Sequence, residues 1–388
     1  MSGHIRRRGE RSWELKYDAG TDPRTRKRRT KYVSFKGTKR EANAKLAELI
    51  AAVSTGTHID ASKTTVVEFV RSRIEQWEAS GKIGTRTAER YGQLLKNQIA
   101  PHIGAIVLQK LTALDVEDWH TTLLTVGRVR GGKGGIAPRT VRHCHRLLSE
   151  AFDDAVGSVL NRNVLKEKKA RPPRVPDTEM KIVQDVPTFI DRMKVCGERY
   201  YVPGMVALFA GLRIGEVLAL RWGRVDLERR VFKVQENLEV TKKHGLRFKP
   251  PKTKAGRREV TLPDILVDVL RDHRKTQLEM RMKLGAGKLK SDDLLFTDLD
   301  GAPLHPYHYG TNWSACAENI GFPDITFHNL RHTHVSQLID QGVDIVTVSK
   351  RIGHAKPEIT LRTYAHLFRK DDGKAAAAIN ATFKTVPA

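Results

Sequence analysis

Cysteine is scarce in this 388-residue chain: three residues, Cys144, Cys196 and Cys316, with no Cys-x-x-Cys pair. That is too few and too scattered for a disulfide framework, leaves no cysteine zinc site, and fits a reducing interior. Long apolar runs are missing too. The best, Tyr201 to Leu212, is interrupted by Pro203 and Gly204 and falls short of the roughly 18 residues of a membrane span. The opening residues MSGHIRRRGERSW bring charge with no apolar stretch behind it, so no secretory signal is expected. Acidic residues are outnumbered, 44 against 69 Lys and Arg, which leaves a formal net charge of +25. Hydrophobic residues at 39% suffice for packed cores and exclude global disorder. Such an excess of cations calls for a polyanionic partner. Nucleic acid fits better than an anionic membrane, because no long basic helix has an aromatic face.

The patterning predicts a multidomain, mainly α chain with small β-sheets (α+β). Residues 1–58 hold 15 Lys and Arg against 6 Asp and Glu. Alternation at Trp13, Leu15 and Tyr17, and again at Val33 and Phe35, reads as a hairpin around the turn Asp18–Arg24. A capping box, Thr38 and Glu41, then opens a helix with Ala42, Leu46, Leu49, Ile50 and Val53 inward. Residues 64–165 read as helices. Thr65 and Glu68 cap the first, and Pro138 to Val159 is expected to be the last. The Gly-rich stretch from Gly127 to Pro138 has no Gly-Lys-Ser/Thr, so it reads as a basic connection rather than a phosphate loop. Residues 166–180 are charged and Pro-rich, the composition of a linker. Residues 181–370 form a third, larger domain, helical at both ends with strands over Val231–Val240 and Arg258–Leu262. Residues 371–388 are an Ala-rich tail.

The third domain holds the chemistry. Arg213 is expected within an apolar helix just after Gly211, with Glu216 three residues on to orient its guanidinium. Lys252 stands on a turn before a strand, where a lysine can reach a ligand; Lys254 is two residues away. Thr326 opens a helix on which His328 and Arg331 share a face. His328 and His332, four apart, are spaced as a metal pair, but no third ligand follows and Arg331 between them would repel a cation. Gly353 ends a helix and leaves His354 at the mouth of a loop. Tyr364 follows ten residues later.

In the order Arg213, Lys252, His328-x-x-Arg331, His354, Tyr364, with Gly-Leu-Arg-x-x-Glu, His-x-Leu-Arg-His-Thr and Gly-His intact, the chain resembles the tyrosine recombinases and, among them, phage-type integrases. The resemblance covers about 181–370, and extends more weakly to 64–165 through Ile99–Gly104 and Thr140-Val141. It implies three modules: a sheet-plus-helix arm-binding domain, a helical (SAM-like) core-binding domain and a mixed α/β catalytic domain. It also implies site roles. Arg213 and Arg331 hold the non-bridging oxygens of a scissile phosphate, and His354 fixes it. Tyr364 attacks, with His328 helping to take its proton. Lys252 protonates the leaving 5′ oxygen, and Glu216 stands behind Arg213. No cofactor, metal or ATP is implied, since a 3′-phosphotyrosine conserves the bond energy.

The same resemblance implies double-stranded DNA attachment sites of core and arm type as partners. It further implies a homotetramer on DNA, with the tail docked on a neighbouring protomer, a host DNA-bending protein and an excisionase. The expected location is the bacterial cytoplasm, on the nucleoid. Relaxation of DNA by the same chemistry, as in type IB topoisomerases, is an alternative, and a non-catalytic DNA-binding regulator is another. The basic first module favours an integrase, and the intact Tyr364 disfavours a regulator.

Overall fold

Both expected capping boxes start helices. In the computed structural model, which describes residues 3–21, 26–55, 58–129, 132–177, 179–367 and 373–383, Thr38 Oγ1 accepts from the Glu41 amide at 3.3 Å. Glu41 Oε2 accepts in turn from the Thr38 amide at 2.7 Å. This opens α1 (Lys39–Ser54), and the Thr65–Glu68 pair opens α2 (Val66–Ala79) in the same way. The chain forms two compact units, Met1–Asp177 and Thr178–Ala388.

The first unit begins with an antiparallel sheet in the order β1 (Gly3–Gly9), β2 (Ser12–Thr21), β3 (Arg28–Lys36). The register sets Leu15 opposite both Ile5 and Val33. Leu15 and Tyr17 are buried there with Ala42 and Leu46 of α1. The strands expected around Trp13 and Phe35 are present, but β1 is an addition. Its GHIRRRG carries one large apolar residue, Ile5, so it has no alternation to read; pairing with β2 makes it a strand. The turn residues 22–25 lie outside the described residues. Beyond α1, Tyr17 Oη is 3.2 Å from His58 Nε2, and Asp60 pairs with Arg29 at 3.1 Å, with Lys31, and with His58 at 3.3 Å.

Helices α2, α3 (Thr85–Leu94), α4 (Ala113–Val126) and α5 (Pro138–Asp153) bury one apolar cluster that includes Val70, Trp77, Trp119, Leu148 and Phe152. The last helix stops at Asp153, short of the expected Val159. A tight turn, in which the Gly157 amide donates to Leu160 O at 2.9 Å, folds the chain back so that Leu160 still reaches the core. The stretch 166–180 also departs from a bare linker. Lys168–Ala170 is a 3-10 turn, and Ala170 is fully buried against the helical core. Small apolar residues can seat a charged segment whose overall composition looks like a tether. In the second unit, Met180 packs beside Val335 and Tyr364, and the Val183 amide donates to Thr333 Oγ1 at 2.9 Å.

The second unit runs α6 (Val186–Met193), α7 (Glu198–Ala210), α8 (Ile214–Val217), β4 (Val225–Asp226), β5 (Val231–Val234), β6 (Asn237–Thr241), β7 (Gly245–Lys249), β8 (Arg258–Thr261) and α9 (Asp264–Lys283). It continues with α10 (Pro306–Asn319), α11 (Phe327–Asp340), α12 (Ile345–Ile352), α13 (Pro357–Tyr364) and α14 (Gly373–Phe383). The single strand expected over Val231–Val240 is broken at Val234. β5 joins the sheet β4-β5-β8, whereas β6 leaves to form a hairpin with β7.

Helix α7 is buried on nearly every side and packs against α11. Pro203 within it has no amide to offer the Arg199 carbonyl one turn back; the Tyr309 hydroxyl donates there instead, at 3.1 Å. The cysteines also differ from expectation. Cys196, after α6, and Cys316, on α10, are joined as a disulfide across 120 residues, with Cα atoms 6.1 Å apart, because the fold lays these two segments side by side. Cys144 is a free, buried thiol. Among the described residues no helix is long and apolar enough to cross a membrane.

Candidate active site

Helix α7 ends at Gly211, whose φ of 66° is the left-handed turn that glycine adopts freely. The chain re-enters a helix two residues later, with Arg213 at the N-cap of α8. Arg213 is therefore at a helix junction rather than inside the apolar helix. Glu216 Oε2 accepts from the Arg213 amide at 3.1 Å, and its Oε1 accepts from Arg213 Nη1 at 2.9 Å. The carboxylate is 4% exposed, so it needs strong partners. The second is Arg258 on β8, 6% exposed, whose Nη2 donates to Glu216 Oε2 at 3.0 Å. Burial alone would raise the Glu216 carboxyl, but the guanidiniums of Arg258, Arg213 and Arg331 outweigh it and hold it below its ordinary value.

On α11, Arg331 is 2% exposed and donates to two helix-end carbonyls, Gly211 O at 2.5 Å and Ile352 O at 2.6 Å. Burial and then Arg213 push its guanidinium down to about 9, which leaves it cationic at neutral pH. Tyr364 closes α13. It is 2% exposed among Val335, Ile339, Val348 and Ile352. Its Oη lies 2.6 Å from His332 Nδ1. Burial raises the hydroxyl to about 12, and Arg331 and Arg213 offset this only in part. His354, set by the left-handed Gly353 at φ 69°, bonds Thr360 Oγ1 through Nδ1 at 2.8 Å. Burial, then Arg331, Arg213, Arg258 and His328, hold its imidazole down to about 4. His328 opens to solvent at the mouth of the site. Its surroundings still desolvate it, and with His332, Arg331 and Arg213 they hold it at about 4. At neutral pH the site thus sets three guanidiniums against one carboxylate, with neutral imidazoles around a neutral phenol, an arrangement suited to an anion.

The structure therefore brings together Arg213, Glu216, His328, Arg331, His354 and Tyr364. Two readings change. The hydrogen-bond partner of Tyr364 is His332, not His328, which instead stands edge-on to His332 with ring centroids 4.7 Å apart. The i, i+4 spacing singles out these two histidines, and the metal reading of that spacing is already set aside by Arg331 between them; Tyr364, 32 residues after His332, could not be placed beside one of them from spacing. Arg258 is the other addition. In KTKAGRRE it reads as one surface cation among several, and nothing local marks it as buried. Lys252 and Lys254 both lie exposed in the β7–β8 turn, their side chains with no hydrogen-bond or ion-pair partner among the described residues. That turn closes through Thr253 Oγ1, which accepts from the Gly256 amide at 3.2 Å.

The phage integrase family pattern matches residues 183–371, and that of the phage integrase N-terminal SAM-like domain matches residues 70–124. The chain is 26% identical over 366 residues to a tyrosine recombinase XerC-like protein of Caldanaerobacter subterraneus subsp. tengcongensis, covering 89% of this chain and 90% of that one. It is 28% identical over 388 residues to an integrase of Streptomyces ambofaciens, covering 97% and 95%. A solved structure of the Tn1549 transposon integrase, in complex with a circular intermediate DNA, shares its fold at a TM-score of 0.67 and 18% identity. That match covers 82% of this chain and 99% of that one. Similarity over nearly the whole length agrees with the site built around Tyr364, and residues 183–371 of the chain belong to the phage integrase family of tyrosine recombinases.

Proposed function

We propose that Tyr364 is the nucleophile with which this chain, a site-specific DNA recombinase of integrase type, cuts and rejoins DNA. The observation that carries this reading is the Tyr364 hydroxyl held 2.6 Å from His332 Nδ1 and within the field of Arg331 and Arg213. A phosphodiester entering there meets two guanidiniums suited to its non-bridging oxygens and to the charge that grows during attack. Oη bonds to phosphorus, its proton passes to an imidazole, and the bond from phosphorus to the 5′ oxygen breaks. His332 is placed to accept that proton, and His328 to face the phosphate from the mouth of the site. Lys252 supplies a proton to the leaving oxygen. The 3′-phosphotyrosine is then attacked by a 5′ hydroxyl, which restores the diester and frees the tyrosine.

The relatives named above are integrases and a recombinase, which favours strand exchange over relaxation. Within this reading the basic sheet of β1–β3 binds arm-type sites, and the helical part of the first unit and the second unit bind core sites. Four protomers assemble on the DNA, α14 docking on a neighbour, with a host bending protein and an excisionase setting direction. The test uses nicked duplexes cut from the element–host junctions, mixed with the full-length chain and separated on a denaturing gel. Wild type is expected to leave a covalent adduct and Tyr364→Phe none. An adduct from both would discard Tyr364 as the nucleophile.

A further inference from the structure

We propose that Arg258 is a positioning residue of the strand-cleavage site, a guanidinium sealed beneath it that locks Glu216, and through Glu216 the reacting Arg213, to the turn bearing Lys252 and to the helix end bearing His354. The proposal rests on the reading of Arg213 and Tyr364 as cleavage residues.

Arg258 cannot itself meet DNA, being 6% exposed. Its donors divide among three parts of the second unit, two of them far away in sequence. Nη2 and Nη1 reach Glu216 at 3.0 and 3.4 Å, Nη1 reaches Gly256 O at 3.1 Å, and Nε reaches Arg351 O at 2.7 Å. The first belongs to the Arg213 turn. The second closes the β7–β8 turn on which Lys252 stands. The third is the end of α12, three residues before His354. Gly353 shows how tight this junction is. A Cβ there would lie 2.8 Å from Arg258 Nη1 and 3.0 Å from Ala255 O, so the bare, left-handed residue is what lets the helix end approach. A planar fork spreads its donors over three separate nitrogens and can span acceptors this far apart, whereas an ammonium gathers its three donors on one atom.

The carboxylate gives the arrangement a measurable signature. Arg258 from β8, Arg213 from its own turn and Arg331 from α11 are the guanidiniums facing Glu216, with His328, His332 and His354 around the same site. Arg258 contributes most of what outweighs burial. Without it Glu216 protonates at a higher pH, and a neutral carboxyl loses its hold on Arg213. The histidines titrate in the same acid range, so the carboxylate must be isolated by a second substitution.

The experiment measures single-turnover adduct formation by the full-length chain on nicked junction duplexes across pH. It compares wild type, Arg258→Met, Arg258→Lys, Arg258→Met with Glu216→Gln, and Tyr364→Phe, with DNA affinity measured alongside. Arg258→Met is expected to bind DNA like wild type, cleave about 10- to 100-fold more slowly, and show its acid limb at higher pH. Arg258→Lys should fall between, and adding Glu216→Gln should abolish the displaced limb. A wild-type rate for Arg258→Met, or a loss uniform across pH, overturns the proposal. If Arg258→Met does not fold, the limb of Arg258→Lys decides in the same way. An adduct surviving Tyr364→Phe would overturn the reading of the site instead, and the proposal with it.

Discussion

Arg213 and Arg331 illustrate how differently one residue type is held in one site. Arg213 leans on a carboxylate and keeps its side chain 37% exposed, while Arg331 is sealed and bonded to carbonyls at two helix ends. Spacing revealed both because family motifs are local strings, and the same holds for His328, His354 and Tyr364. It could not reveal Arg258 or His332 in their present roles, since the partner of each is fixed by tertiary packing 42 and 32 residues away. Lys252 against Lys254 is a residue-scale question that kinetics can settle. Lys252→Ala is expected to slow cleavage of an ordinary duplex far more than Lys254→Ala. A duplex with sulfur at the bridging 5′ position, a leaving group that needs no proton, should restore the Lys252 variant. Rescue of Lys254→Ala alone would assign the proton to Lys254.

Helices were legible where their ends carry chemistry. Thr38, Thr65 and Thr326 cap as their spacing predicts, since a short polar side chain satisfies orphan amides locally. Elements that exist only through partners were not legible, namely β1, the 3-10 turn Lys168–Ala170 and the split of β5 from β6. Helices α4 and α5 carry a further pairing that no pattern announced. His120 and His145 are buried with ring centroids 5.2 Å apart, and among the described residues His120 Nε2 and His145 Nδ1 have no hydrogen-bond partner. Burial, then His145, holds His120 down to about 4; burial, then Arg142, does the same to His145. The unfolded chain binds protons near the ordinary 6.5, which the folded helices refuse until about 4. Stability is therefore present above that window and falls as pH drops through it. Thermal melting followed between these pH values should show a shallower fall for His145→Leu than for wild type. An unchanged slope would mean that this pair does not report the acid sensitivity.

The whole molecule is a polycation, and its binding should weaken steeply with salt, with a log–log slope of about −0.9 for each phosphate neutralised. Titration of junction duplexes across salt concentrations measures that number, and a flat response would contradict an electrostatic grip. Composition shifts at this scale set off the basic first stretch and the charged, Pro-rich stretch 166–180; the disulfide between Cys196 and Cys316 was not legible, because proximity in space leaves no mark in spacing. Asp60 bears on the slope. It already pairs with Arg29 and Lys31 of β3 and with His58. A resident carboxylate of this kind is a stand-in for phosphate. On the proposed reading of this sheet as an arm-site binder, DNA docking on that strand swaps one anion for another and sets free few of the small ions whose release drives binding. The measured slope should therefore report fewer phosphates than the arginines and lysines of the first module would suggest, and Asp60→Asn should steepen it.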